Sequence, residues 1–185
     1  MKYLELQRKI KTNIFTYFDV IKIFNKESSS LAKIQLGRFV QKKYITKIKR
    51  GWYCFFPNKI DELKLANLLY QPSYISLESA LNYYGLIPDI PQTVTSITPT
   101  TTKSLKNQFG QFSYVKIKSS LFWGFKKVTD ENLSLAKKEK ALLDYFYIRK
   151  IKTIKDLRLD LKDLDLKLYK KYHKFYPLWV ANIKL

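Results

Sequence analysis

Cysteine, histidine and glycine are scarce in this chain. One cysteine, Cys54, among 185 residues excludes an intramolecular disulfide and a thiolate metal cluster. It also suits a reducing cytoplasm, which is the expected location. The single histidine, His173, lies in a tail of lysines and tyrosines, and Cys54 has no histidine near it in sequence. A Cys–His pair or a histidine general base is therefore not in view. The five glycines form no phosphate-cradling loop, and GxxxxGK[ST] does not occur. No apolar run approaches the roughly 18 residues of a membrane span. The first residues carry charge and lack an apolar stretch, so neither a signal peptide nor a membrane partner is expected. No metal-ligand spacing is present. The chain is thus expected to be no enzyme and to need no cofactor, although carboxylates such as Glu78 and Asp144 could still converge in space.

Acid is scarce too. Fifteen Asp and Glu face 35 Lys and Arg, a net charge of +20. Such a charge attracts polyanions, nucleic acid before anionic membrane. A lysine-rich proteome is its bland source. The charge is uneven, however: residues 1–60 carry 14 basic and 3 acidic side chains, and residues 61–185 carry 21 and 12. Apolar residues make up 46% and aromatics 16%, enough for a core in one or two domains.

The basic first third reads as a module. Leu4 to Lys11 suits a short helix. Thr16 suits the N-cap of a second helix, Tyr17 to Phe24, with Asp19 at N3, and Asn25 ends it. Ser28, Ser29 and Ser30 offer caps for a third, through about Lys43. At 100° steps Ala32, Leu36, Phe39 and Val40 share one side of that helix. Ser30, Ile34, Gly37, Arg38 and Gln41 share the other, with Lys33 and Lys42 on its flanks. Arg suits guanine and Gln suits adenine in the major groove, and lysines suit phosphates. Gly37 permits close approach to DNA or meets a packing need. Tyr44 to Lys49 then alternates around Ile45 and Ile48, Arg50-Gly51 is a turn signal, and Trp52 to Phe56 is rich in strand formers. A two-stranded ribbon after such a helix is a wing, with Lys47, Lys49 and Arg50 at its tip. Residues 1–57 are expected to form a winged helix-turn-helix that binds double-stranded operator DNA. A helical domain with a hairpin that binds protein is the alternative.

The run from Phe39 to Tyr53 resembles the helix-to-wing junction of winged-helix regulators. Further on, Pro72-Ser73-Tyr74-Ile75-Ser76-Leu77-Glu78-Ser79-Ala80-Leu81 and Tyr84-Gly85-Leu86-Ile87 resemble a signature of the AbiEi-type antitoxins of type IV toxin–antitoxin systems. The resemblance continues through Val94 to Thr98, Phe109 to Phe112, Phe122 to Phe125, and Ala136 with Glu139-Lys140-Ala141-Leu142-Leu143-Asp144. Two positions depart from that pattern: Tyr84 where His is common, and Lys138 where Pro is common. A role resting on that histidine is not transferred. The resemblance implies a winged helix that represses its own operon. It also implies a domain, residues 58–185, that counteracts a nucleotidyltransferase-like toxin encoded beside it, without a stable complex.

Read without the resemblance, residues 58–185 are expected to form a mixed α/β domain with a small, mainly antiparallel sheet, making the whole chain α+β. Asp61 to Tyr70 has helical spacing and Pro72 stops it. Ser76 suits an N-cap, Glu78 the first turn, and Gly85 the C′ position of a helix over 77–84. Strands are expected at Thr93 to Thr98, Phe112 to Ile117, Leu121 to Val128 (with Gly124 a bulge or close contact) and Leu133 to Ala136. Lys116 and Lys118 fall on the outer face. Lys138 to Ile148 reads as a helix with Ala141, Leu142, Tyr145 and Ile148 inward. On it Lys140 and Asp144 are either an ordinary surface i,i+4 pair or part of a partner surface with Tyr74, Ser76, Glu78, Ser79 and Glu139. The stripe Ile154-Leu157-Leu161-Leu164-Leu168-Tyr172 is one helix, or two if Asp163 or Asp165 breaks it. Asp156, Asp160 and Asp163 lie among lysines and read as solvated face rather than a metal site. The expected function is a transcriptional autoregulator and antitoxin. The alternative is a nucleic-acid- or protein-binding module with no toxin partner.

Overall fold

The computed structural model describes residues 1–24, 29–128, 133–155, 157–183 and 185. Asn25, Ser28 and Asp156 lie outside them. The chain is α+β and divides into two compact units, Met1–Asp61 and Glu62–Leu185. No helix among the described residues is long and apolar enough to cross a membrane.

Unit 1 contains α1 (Tyr3–Lys9), β1 (Ile14–Thr16), α2 (Tyr17–Ile23), α3 (Ser29–Gln41), β2 (Thr46–Lys49) and β3 (Trp52–Cys54). Thr16 and Asp19 start α2 with a reciprocal capping box: the Asp19 amide donates to the Thr16 hydroxyl at 3.1 Å, and the Thr16 amide donates to the Asp19 carboxylate at 2.7 Å. A left-handed residue, Lys43 (φ +57°), follows α3. There Lys43 N–H donates to Val40 and Tyr44 N–H to Phe39, the paired bonds of a Schellman end. The sheet is antiparallel in the order β1-β3-β2, so the hairpin is joined by a third strand that the sequence reading lacks. β1 has only three residues, too few to show alternation, and its last residue is also the cap of α2. Leu6, Phe15, Val20, Leu36, Phe39 and Phe55 lie in the core of this unit, with Phe15 stacked on Phe55 at 4.7 Å.

Unit 2 contains α4 (Glu62–Leu69), β4 (Tyr74–Ile75), α5 (Leu77–Tyr83), β5 (Thr93–Thr98), β6 (Lys103–Asn107), β7 (Gly110–Lys116), β8 (Phe125–Val128), β9 (Leu133–Ala136), α6 (Lys138–Arg149), α7 (Leu166–His173) and α8 (Leu178–Ala181). Its six-stranded sheet runs β6-β7-β5-β4-β9-β8. Neighbours alternate antiparallel and parallel: β5 with β7 and β4 with β9 are parallel, and the other three pairings are antiparallel. The sheet is therefore mixed. Gly85 (φ +71°) ends α5 in a second Schellman pattern, with Gly85 N–H on Asn82 and Leu86 N–H on Leu81.

Three expectations need correction. The strand expected from Leu121 begins only at Phe125, because Ser119–Leu121 is a 3-10 turn. Tyr145 and Ile148 are half-buried, whereas Lys140, Leu143, Asp144 and Phe146 are buried, because α6 packs against α5, α7 and α8 at once. The leucine stripe is helical only from Leu166, where Asp165 caps α7 by accepting the Leu168 amide at 3.0 Å; the described residues of 151–165 form no helix.

Candidate functional site

Unit 1 exposes basic side chains on α3 and on the β2–β3 hairpin. On α3, Ala32, Leu36 and Phe39 are buried and Val40 is half-buried, as the 3.6-residue period requires. Ser30, Lys33, Arg38, Gln41 and Lys42 are exposed on the remaining arc. Lys33 is held by its neighbour, its ammonium 4.8 Å from the centre of the Tyr17 ring. Beyond α3, Ile48 is buried between Lys47, which is exposed, and Lys49, which is half-buried. The Lys49 ammonium lies 5.1 Å over Trp52, and partial burial pulls its pKa down. Arg50 is exposed in the turn, where Gly51 takes φ +77°. Cys54 is buried in β3, and burial pushes its thiol pKa up, which suits packing rather than nucleophilic chemistry. From residue 29 to residue 60 there is no Asp or Glu. Asp19 is spent on its capping box, and Glu5 pairs with Lys9 at 3.3 Å.

Unit 2 holds a different kind of cluster. Lys140 and Asp144, one turn apart on α6, are both 0% exposed. The Lys140 ammonium donates to Asp144 Oδ1, to Tyr74 Oη at 3.0 Å and to Tyr176 Oη at 2.7 Å. Tyr176 Oη donates to Asp144 Oδ1 at 2.6 Å, while Tyr74 Oη and Ser76 Oγ each donate to Asp144 Oδ2 at 2.9 Å. An ammonium has three hydrogens and a carboxylate about four acceptor positions. Every one is filled, and each hydroxyl proton is used once. The set closes on itself with no group left over. Burial pulls the Lys140 pKa down, against the Asp144 carboxylate that holds it up. Both phenols are held well above their ordinary range, first by burial and then by the Asp144 charge. The ammonium also lies between 5.2 and 5.5 Å from the ring centres of Trp123, Tyr176 and Tyr74. Gly124 (φ +74°) closes the cage, since a Cβ there would stand 3.0 Å from Lys140 Cγ and Cδ.

These positions correct the expected partner surface. Tyr74, Ser76, Ser79, Glu139, Lys140 and Asp144 are all buried, so none is open to a partner. Lys140 with Asp144 is likewise no surface pair. Ser76 occupies the N-cap of α5, but its hydroxyl makes no cap hydrogen bond and goes to Asp144 instead. Ser79 is tied to β5, its hydroxyl accepting the Thr95 amide at 2.8 Å. Glu139 accepts the Asp165 amide at 3.1 Å and so anchors the start of α7. Glu78 alone keeps a partly open carboxylate, gripped by Arg149 at 2.7 and 3.0 Å. Sequence reasoning marked Gly124 as a bulge or close contact, and the close contact is with Lys140; it missed Tyr176 and Arg149. Tyr176 lies 32 residues from Asp144, its nearest partner in sequence, and no local pattern signals such a bond.

What the two arrangements can do differs. The cluster of Lys140, Asp144, Tyr74, Tyr176 and Ser76 is a closed lock, with every ammonium hydrogen and carboxylate position used, so it serves structure. The exposed side chains of α3 and the β2–β3 hairpin include no acid, and they suit an extended polyanion. No protein-family model matches the chain, and no match is found among curated proteins.

Proposed function

We propose that this protein is a DNA-binding transcriptional regulator whose unit 1 is a winged helix. The observation that carries this reading is the acid-free exposed face of α3 and the adjoining β2–β3 turn. Arg38 and Gln41 are exposed on the helix, and Lys33, Lys42, Lys47 and Arg50 are exposed around them. Support for this reading is that α3 has an apolar back and that an antiparallel hairpin, β2–β3, follows it in the chain, the order of a recognition helix and its wing. On this reading Arg38 and Gln41 read base edges, Ser30 and the lysines fix register on the backbone, and Lys49 acts through Trp52 rather than as an open contact.

A duplex spanning the promoter of the protein's own gene is the test. Arg38→Ala and Gln41→Ala each cost about 1–3 kcal/mol on the preferred sequence and relax preference at one position. Lys47→Ala weakens all duplexes about equally and lowers the slope of log K against log salt by about 1. Absence of duplex binding at low salt, or an unchanged sequence preference in Arg38→Ala, would defeat the assignment.

The resemblance to AbiEi-type antitoxins extends the proposal to unit 2, which on this reading counteracts a nucleotidyltransferase-like toxin. The two departures from that pattern support a compensated exchange: the Lys138 ammonium lies 5.7 Å over the Tyr84 ring, and the Tyr84 hydroxyl donates to the Ala136 carbonyl at 2.9 Å. Co-expression of the full chain with the product of the adjacent gene should restore growth. A neighbourhood without a nucleotidyltransferase-like gene would remove this half of the proposal and leave the DNA-binding half standing.

A further inference from the structure

Unit 2 gathers two Lys-Ile-Lys tripeptides, Lys116-Ile117-Lys118 and Lys150-Ile151-Lys152, at one groove. The first runs off the end of β7 and the second follows α6. In each the central isoleucine faces inward, Ile117 at 1% exposure and Ile151 half-buried, so the four lysines are turned outward and exposed. They line a groove of about 770 Å³ together with Tyr147 and Trp179. No carboxylate lines it. Among the described residues none of the four lysines forms a salt bridge.

Concentrated like charge is unfavourable until an anion joins it. The aromatic pair narrows which anion. Tyr147 and Trp179 lie nearly parallel, 6.0 Å apart at 21°, and Tyr147 meets Tyr176 edge-on at 5.9 Å. Tyr176 is fixed by Lys140 and Asp144. The indole is therefore backed by a rigid stack while 40% of Trp179 stays exposed. Inorganic phosphate or an acidic peptide would use the lysines and leave a flat ring idle. A base with its phosphates uses both.

We propose that this groove binds a nucleotide, with the base stacked on Trp179 and the phosphates held by Lys116, Lys118, Lys150 and Lys152. The nucleotide is either free or one unit of a single strand. This does not rest on the duplex-binding reading of unit 1.

The full chain is titrated at low salt with ATP, fluorescein-labelled (dT)5, tripolyphosphate and a glutamate decapeptide. ATP, (dT)5 or both should bind at least tenfold more tightly than the two base-free anions. ATP alone identifies a free nucleotide, and (dT)5 alone identifies a strand. Trp179→Ala should lose about tenfold, and Trp179→Phe should keep most of the affinity. For (dT)5, Lys118→Ala with Lys152→Ala should lower the slope of log K against log salt by about 1.4. The site is overturned by no binding, by base-free anions binding equally well, or by a loss that follows Lys47→Glu with Arg50→Glu in unit 1 and not the groove variants. If Trp179→Ala fails to fold, Lys118→Glu with Lys152→Glu decides, since both positions are exposed; unchanged binding there also overturns it.

Discussion

Asp144 accepts four hydrogen bonds from Lys140, Tyr74, Tyr176 and Ser76 in a site with no solvent exposure. Removing one charge of such a pair strands the other in a medium that cannot solvate it, at about 3–5 kcal/mol. Asp144→Asn and Lys140→Met should each lose that much in urea unfolding, and the double Lys140→Met/Asp144→Leu should lose less than either alone. A double variant as unstable as the sum of the singles would mean that the pair acts through something other than its charge. Gly124→Ala should also destabilise, because it adds a methyl group 3.0 Å from the Lys140 stem at a positive φ. Four members of the lock, Tyr74, Ser76, Lys140 and Asp144, lie in two segments that the sequence singles out, Tyr74 to Ser79 and Glu139 to Asp144. Their meaning is not legible there. Spacing along α6 shows that Lys140 and Asp144 are neighbours, but a surface pair and a buried pair share that spacing. The arrival of Tyr74, Ser76 and Tyr176 from other parts of the chain is what encloses the pair.

Elements with chemical punctuation were legible. Thr16 with Asp19 marked α2, Gly85 marked the end of α5, and alternation marked β5 to its last residue. Elements whose existence depends on a neighbour were not. β4 has two residues and pairs on both sides inside the sheet, while β6 is a polar edge strand, so neither shows an apolar period. The leucine stripe before α7 misled for a related reason: leucines in irregular chain can pack at intervals that happen to match a helix. At this scale the capping box gives a clean expectation. Thr16→Ala should cost about 1 kcal/mol in denaturant unfolding, since it removes the acceptor for the Asp19 amide. Thr16→Ser should recover most of it. Equal losses in the two variants would show that the cap hydrogen bond is not what matters there.

For the whole molecule, charge and titration set the conditions under which the protein works. Seven phenols, those of Tyr53, Tyr74, Tyr84, Tyr114, Tyr145, Tyr169 and Tyr176, have raised pKa values, with Tyr84 and Tyr169 pushed up to about 12. A raised folded-state value means that the folded chain holds its proton longer than the unfolded chain does. The contribution is complete below the ordinary tyrosine value near 10 and is lost as pH rises towards 12 and beyond. The Cys54 thiol has the same sign, from a lower starting pH. Lys49 and Lys140 have the opposite sign, since their lowered values are relieved as pH rises. Seven phenols and a thiol outweigh two amines, so the melting temperature should fall between pH 9.5 and about 11.5. A melting temperature that holds or rises across that window would contradict the burial of these rings.

The closure of the lock has a consequence in time. Tyr74 and Tyr176 stand about a hundred residues apart, and both must be present before Lys140 and Asp144 are satisfied. At roughly 5–20 residues per second, the ribosome delivers the second phenol about 5–20 s after the first. Unit 1, complete by residue 61, has all its core residues long before then. Unit 2 must wait with a charged pair that water still covers. During synthesis, then, the exposed face of α3 is complete early, and the groove beside Trp179 is complete last.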